Sequence, residues 1–244
     1  MTYLITTLPI SIGLLFSPYK TRVILSFLTS FCSKICLRIL KVKVNIAGSA
    51  NVLQKDKGLF IVSNHLSYLD VLIFASLFPA SFVTSEEMHQ TPFLGQMSML
   101  GGSFFVDRRG HKRLLHDIEK LKLALLKGLR IVVFPEATSG NAEKLHHFKR
   151  SLFRSAILAK SPVLPLCLNY KTINGEPLGQ KNRDFVCWYG KMSFAPHLKK
   201  LLTLKSIEVE VTFFPLIENY AEEIETLARK TQEMIESRFK FIKN

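Results

Sequence analysis

His65 and Asp70 are four intervening residues apart, directly after an apolar run from Leu59 to Val62 that reads as a β-strand. The helix after that strand starts at about Ser67, so His65 falls at a strand-to-helix turn, where a side chain is presented on a rigid mount. If the turn folds back, the Asp70 carboxylate fixes the imidazole tautomer and steadies the imidazolium that forms on proton uptake. That is the chemistry of a general base. No G-x-S-x-G nucleophile elbow occurs in the chain, so His65 would deprotonate an acceptor hydroxyl directly, with no acyl-enzyme. The other histidines, His89, His111, His116, His146, His147 and His197, show no metal-ligand spacing. Cys32, Cys36, Cys167 and Cys187 include no C-x-x-C pair and read as small, reduced hydrophobes. No metal is expected.

The elements that must hold this pair alternate along the chain. Strand-like runs cover 42–48, 58–64, 81–85, 102–108, 129–136, 162–170, 184–190 and 207–215. Helical patterns lie near 68–78, 92–100, 111–128, 150–160 and 219–240. Strands alternating with helices predict an α/β fold, a single layered domain with a largely parallel central sheet flanked by helices. At 244 residues, with 48% apolar and 21% charged residues, the chain suits one folded domain with an attachment and is not disordered.

The attachment is the leader. Residues 1–50 carry Lys20, Arg22, Lys34, Arg38, Lys41 and Lys43 and no acidic residue, within a net charge of +14. Residues 3–16 are apolar but broken by Pro9 and Gly13. Ser17-Pro18 marks a turn, and a second apolar segment runs over 23–40, with Leu25, Leu28, Cys32, Cys36 and Leu37 near one face. Neither a signal peptide nor a full membrane span is predicted. Two apolar helices with basic flanks predict a hairpin that dips into one leaflet; the competing expectation is a helix pair packed on the protein's own core. The division is therefore residues 1–42 as a membrane-associated helical hairpin and 43–244 as the folded domain. Nucleic acid, the other partner that a basic chain suggests, is not expected, because no nucleic-acid-reading motif is present.

Asn64-His65-x4-Asp70, Gly102-x2-Phe105-x2-Arg108, Phe134-Pro135-Glu136-Ala137-Thr138-Ser139-Gly140 and Val163-Leu164-Pro165 occur in that order. Over roughly residues 45–195 the chain thereby resembles the glycerolipid acyltransferase family typified by 1-acylglycerol-3-phosphate acyltransferases. The resemblance implies that His65 is the general base and Asp70 its orienting carboxylate. Asn64, Gly102, Phe105, Arg108, Glu136, Thr138 and Pro165 would serve substrate binding, with Arg108 and Glu136 on the acceptor and Pro165 at the acyl end. It implies an O-acyltransferase that needs no cofactor and takes acyl-CoA or acyl carrier protein as co-substrate. The acceptor would be a lysolipid, first of all 1-acyl-sn-glycerol-3-phosphate giving phosphatidic acid, with lyso-ornithine lipid or another lysophospholipid as the alternative. The location would be the inner cell membrane, monotopic on its cytoplasmic face. A non-catalytic lipid-binding membrane protein is the rival class, and it would typically lack His65 or Asp70. Two departures bear on the acceptor: Ala137 stands where the family has Gly, and Ser139 where it has Arg. Serine cannot replace a guanidinium fork on phosphate, so phosphate would fall to Arg108, Arg109, Lys144 or Lys149. Backbone N–H groups after His65 are candidates for holding the oxyanion.

Overall fold

The computed structural model describes residues 2–54, 58–107, 110–218 and 223–242. Three leader helices, α1 (Thr2–Ser11), α2 (Gly13–Phe16) and α3 (Pro18–Ile39), precede strand β1 (Val42–Gly48). Next come β2 (Leu59–Ser63), α4 (Tyr68–Leu77), β3 (Ser81–Ser85), α5 (Glu86–His89), α6 (Leu94–Leu100) and β4 (Phe104–Val106). The order continues with α7 (His111–Leu126), β5 (Arg130–Val133), α8 (Phe153–Ala159), β6 (Val163–Ile173) and β7 (Glu176–Pro177). It closes with α9 (Phe194–Leu202), β8 (Ile207–Phe213) and α10 (Ile224–Glu236).

The sheet runs β1-β8-β6-β2-β5-β3-β4, with β7 beside β6. β6, β2, β5, β3 and β4 are mutually parallel. β8 is antiparallel to β6, and β1 is parallel to β8. The expected α/β layering with a largely parallel sheet is what forms, and the residue types explain it. β2 (LFIVS) is buried at every position, as a strand covered on both faces must be. β8 alternates inside and outside, Ile207, Val209, Val211 and Phe213 against Glu208, Glu210 and Thr212, because one of its faces is partly wet.

Residues 184–190, expected as a strand, form a turn and an extended loop instead. Val186 and Cys187 fill the core, while the Trp188 N–H donates 2.8 Å to the Leu66 carbonyl rather than to a strand. The segment is a clasp over the start of α4. Helix α9 was not expected; its signal is Pro196 in a first turn followed by Leu198 and Leu201.

In the leader, α3 begins at Pro18 rather than near residue 23, because proline at the first helical position presets the backbone. α3 packs along α4. Its buried positions are Thr21, Leu25, Ser26, Ser30, Ser33 and Leu37, so small side chains bring the helix close, and Leu37 joins the main core. Cys36, expected on the apolar face, is exposed. The large apolar side chains Val23, Ile24, Phe27, Phe31, Ile35 and Ile39 point outward. Among the described residues no helix is long and apolar enough to cross a membrane.

Candidate active site

The site is built where β2 ends. Ser67 caps α4, and Asp70, at the third helical position, completes the capping box. A local i, i+3 device therefore brings the Asp70 carboxyl back over the turn. Asp70 is completely buried. Its Oδ2 accepts from the Leu66 N–H at 2.6 Å, the Ser67 N–H at 2.9 Å and His65 Nδ1 at 2.9 Å. Its Oδ1 accepts from the Tyr170 hydroxyl at 2.7 Å. A carboxylate with this many donors is satisfied without solvent, which is the condition for burying its charge. Burial and the Asp70 charge raise the Tyr170 pKa well above the ordinary value, so the phenol stays a donor.

The bond to Asp70 puts the imidazole proton on Nδ1 and leaves Nε2 with its lone pair. Among the described residues Nε2 has no hydrogen-bond partner, and the side chain keeps 20% exposure. The ring is stacked on Phe134, with centroids 4.1 Å apart and planes 15° from parallel. A neutral imidazole held by a buried carboxylate, with its basic nitrogen open to an incoming hydroxyl, can act as a general base.

The backbone of His65 is pinned from both sides. Glu136 Oε1 accepts the His65 N–H at 2.8 Å, and the Gly140 N–H donates to the His65 carbonyl at 2.8 Å. Glu136 Oε2 accepts the His146 N–H at 2.8 Å. Both Glu136 oxygens thus lie on main chain, where the family resemblance placed an acceptor contact. Burial pushes the Glu136 carboxyl up to about 7, against the downward pull of the two N–H groups and of His65. Because the folded value exceeds the ordinary 4.5, the folded chain holds this proton where the unfolded chain has lost it. That contribution to stability is complete below about pH 4.5 and is lost as pH rises through about 7. Glu136→Gln is expected to cost about 1–3 kcal/mol, since one amide oxygen cannot accept from both N–H groups. The Tm gap between wild type and Glu136→Gln should be widest near about pH 5 and narrow by about pH 8; a gap independent of pH contradicts the shifted carboxyl.

The remaining expected residues spread out. Asn64 is fully buried, and its amide both donates to the Leu168 carbonyl, at 2.9 Å, and accepts the Leu168 N–H, at 2.8 Å. It stitches β2 to β6 and does not face open space. Thr138 is exposed beside Ala137, whose φ of +63° explains why a glycine suits that position and costs the alanine about 1 kcal/mol of strain. Pro165 is buried in β6 in register with Val62, one strand from His65. Gly102, at φ +74°, lies against Leu25 and Arg22 of α3, where an added Cβ would come within 3.3 Å of a side chain. Phe105 packs on the His89 ring at 4.5 Å. Arg108 and Arg109 lie outside the described residues. Between His65 and α4, the Leu66 and Ser67 N–H groups are engaged by Asp70. Tyr170 was not anticipated, and Phe134 and Gly140, the two ends of the third motif block, had been given no separate role; the only local sign of Tyr170 is a hydroxyl-bearing residue ending a buried apolar run.

The model of the family described as Acyltransferase matches residues 43–169. A lyso-ornithine lipid O-acyltransferase of Rhizobium meliloti (strain 1021) is 29% identical over 213 residues, 84% of this chain and 71% of that protein. A 1-acyl-sn-glycerol-3-phosphate acyltransferase of Neisseria gonorrhoeae is 28% identical over 164 residues, 66% of this chain and 60% of that protein. The crystal structure of the 1-acyl-sn-glycerophosphate (LPA) acyltransferase, PlsC, from Thermotoga maritima superposes with a TM-score of 0.63. That likeness, at 20% identity over 96% of this chain and 95% of that one, concerns the fold. With more than half of its length matched by the family, and with the His65–Asp70 unit at the end of β2, this chain belongs to the acyltransferase family that includes the 1-acyl-sn-glycerol-3-phosphate and lyso-ornithine lipid acyltransferases.

Proposed function

We propose that the protein is a membrane-associated O-acyltransferase that moves a fatty acyl group from an acyl carrier protein or coenzyme A thioester to the hydroxyl of a lysolipid. The observation that carries this is the His65–Asp70 pair with Nε2 unpartnered. His65 Nε2 takes the hydroxyl proton as the oxygen attacks the thioester carbonyl; the C–O bond forms, the C–S bond breaks, and the thiolate leaves with the proton returned by His65. Glu136 positions His65 through its backbone, Arg108 and Thr138 hold the acceptor, and Pro165 frames the acyl end from within β6. Asn64 fixes the β2–β6 spacing at the catalytic turn, and Gly102 and Phe105 shape the second block.

For the acceptor, the sequence places lysophosphatidic acid first, but the surroundings of Ser139 favour lyso-ornithine lipid. The Ser139 hydroxyl donates to the Trp188 carbonyl, so this position offers neither a charge nor a free donor to a phosphate monoester. Arg183, just before that clasp, is paired with Glu143. The R. meliloti relative also covers more of the chain than the N. gonorrhoeae one. Lysophosphatidic acid is the second reading, supported by exposed Lys144 and Lys149 after the third block. An acceptor panel with purified protein decides between them: turnover should be highest with lyso-ornithine lipid, and Ser139→Arg should raise relative use of lysophosphatidic acid about tenfold or more. Best turnover with lysophosphatidic acid and no gain from Ser139→Arg overturns this order.

Membrane attachment rests on the outward face of α3 and on a leader without acidic residues. The proposed location is monotopic, on the cytoplasmic face of the inner membrane. Changing Phe27, Phe31 and Ile35 together to serine should move the protein out of the membrane fraction with little change in Tm, because each of these side chains is more than a third exposed. Burial of such side chains in lipid contributes roughly 1.5–3 kcal/mol each. Undiminished sedimentation of the triple variant with membranes refutes attachment through α3. Deleting residues 1–40 should instead aggregate the protein, since Leu25 and Leu37 leave the buried interior with it.

A further inference from the structure

Below the sheet, at the end opposite His65, a groove of about 270 Å³ opens between α3 and the starts of β3 and β5. Arg22, Val23, Phe27, Ser81 and Arg130 line it, and among the described residues no acidic one does. Arg22 Nη1 donates 3.2 Å to the Pro18 carbonyl, and the guanidinium lies 4.2 Å over the Phe104 ring. Its Nε is buried without any hydrogen-bond partner. Arg130 Nη2 donates 2.8 Å to the Leu53 carbonyl. Neither guanidinium pairs with a carboxylate among the described residues. Two cations on one groove with no carboxylate partner among the described residues, one of them with an unpaired buried donor, are under-satisfied. Burial lowers the Arg22 pKa, because the charged form has lost part of its hydration. An anion seated between the two guanidinium groups supplies the missing counter-charge.

We propose that this groove binds the phosphate of an anionic phospholipid head group, a lipid site separate from the catalytic one. The lipid source is favoured because two walls of the groove, Val23 and Phe27, belong to the outward apolar face of α3 that continues through Phe31 and Ile35. A phosphate seated between Arg22 and Arg130 leaves its acyl chains on that face. The volume sits just below the range of about 300–1,000 Å³ for sites that enclose whole small molecules, so it suits a head group and not a complete lipid. The inference rests on the proposed attachment through α3.

The test measures sedimentation with vesicles of phosphatidylcholine and with the same vesicles containing phosphatidylglycerol, at about 0.15 M salt, where diffuse surface attraction is largely screened. Wild type should prefer the phosphatidylglycerol vesicles. The pair Arg22→Gln with Arg130→Gln should lose that preference about tenfold more than Lys34→Gln with Arg38→Gln, which removes equal charge from exposed sites on the same helix. Should the glutamine pair fail to fold, Arg22→Lys with Arg130→Lys keeps the charge and loses only the fork; under the proposal its preference falls several-fold, and an unchanged preference overturns the site. Equal losses in the groove and control pairs overturn the site while leaving attachment standing, as does equal binding of wild type to both vesicles. Displacement of the vesicles by millimolar inorganic phosphate assigns the groove to a free anion and overturns the lipid source. Wild type that binds neither vesicle overturns the attachment itself, and this site with it.

Discussion

His65→Ala is expected to lower kcat for acyl transfer by at least about a thousandfold while the protein stays folded. The imidazole is at the surface end of the turn, with 20% exposure, so its removal opens no core cavity. What disappears is the only imidazole held by a fully buried carboxylate among the described residues; the His89–Glu86 pair is exposed on both sides. His197 cannot substitute, because its two ring nitrogens are engaged by the Tyr68 hydroxyl and the Cys187 carbonyl. Steady-state kinetics with a labelled thioester, beside circular dichroism of the variant, gives the answer. Turnover within about tenfold of wild type by a folded His65→Ala protein rules out His65 as the base.

The second large effect falls on Asp70 and separates catalysis from folding. In Asp70→Asn an amide replaces the acceptor-only carboxylate that takes donors from Leu66, Ser67, His65 and Tyr170. Whichever way the amide turns, at least one of those donors meets an N–H₂. If the amide keeps its oxygen at the Oδ2 position, Tyr170 loses its acceptor and His65 keeps only a neutral one that cannot steady the imidazolium; turned the other way, the N–H₂ meets Leu66, Ser67 and His65, and the His65 proton shifts to Nε2, where it blocks the base. The expected loss in kcat is about 10³–10⁴-fold, with a stability cost of about 1–3 kcal/mol. Asp70→Ala orphans every donor and should lower Tm further, with no greater loss of kcat than Asp70→Asn. Tyr170→Phe removes a single donor and should reduce kcat far less. Wild-type kcat in a folded Asp70→Asn protein would show that the carboxylate does not set the tautomer.

What could be read without the structure was local. The strand, the turn at His65 and the helix near Ser67 were legible, while whether Asp70 reaches the imidazole depended on how the turn folds back, which the four-residue capping box Ser67–Asp70 decides. The alternation of strand-like and helical runs likewise carried the α/β layering. Partners distant along the chain were hidden. Tyr170 reaches Asp70 across 100 positions and Asn64 reaches Leu168 across 104, and no spacing rule links them. Residues 184–190 misled because a short apolar run looks the same whether it pairs in a sheet or fills a core as a loop. The docked face of α3 misled for a related reason. Of the apolar face expected at Leu25, Leu28, Cys32, Cys36 and Leu37, Leu25 and Leu37 are buried, but close packing on α4 also selected Ser26, Ser30 and Ser33 and left Cys36, Phe27 and Phe31 outward. Glu136 shows a third limit: its motif suggested a ligand contact, while its two oxygens hold the main chain of His65 and His146.

The most direct measurement is mass spectrometry of purified wild-type protein incubated with an acyl carrier protein or coenzyme A thioester and a lysolipid, reading both the lipid products and the protein mass. The expected result is a diacylated lipid bearing a new ester at the former hydroxyl, formed only when both substrates are present, with the protein mass unchanged throughout. A protein that gains an acyl group when given thioester alone would contradict direct attack promoted by His65, and the absence of acylated product from every lysolipid tested would contradict the proposed reaction.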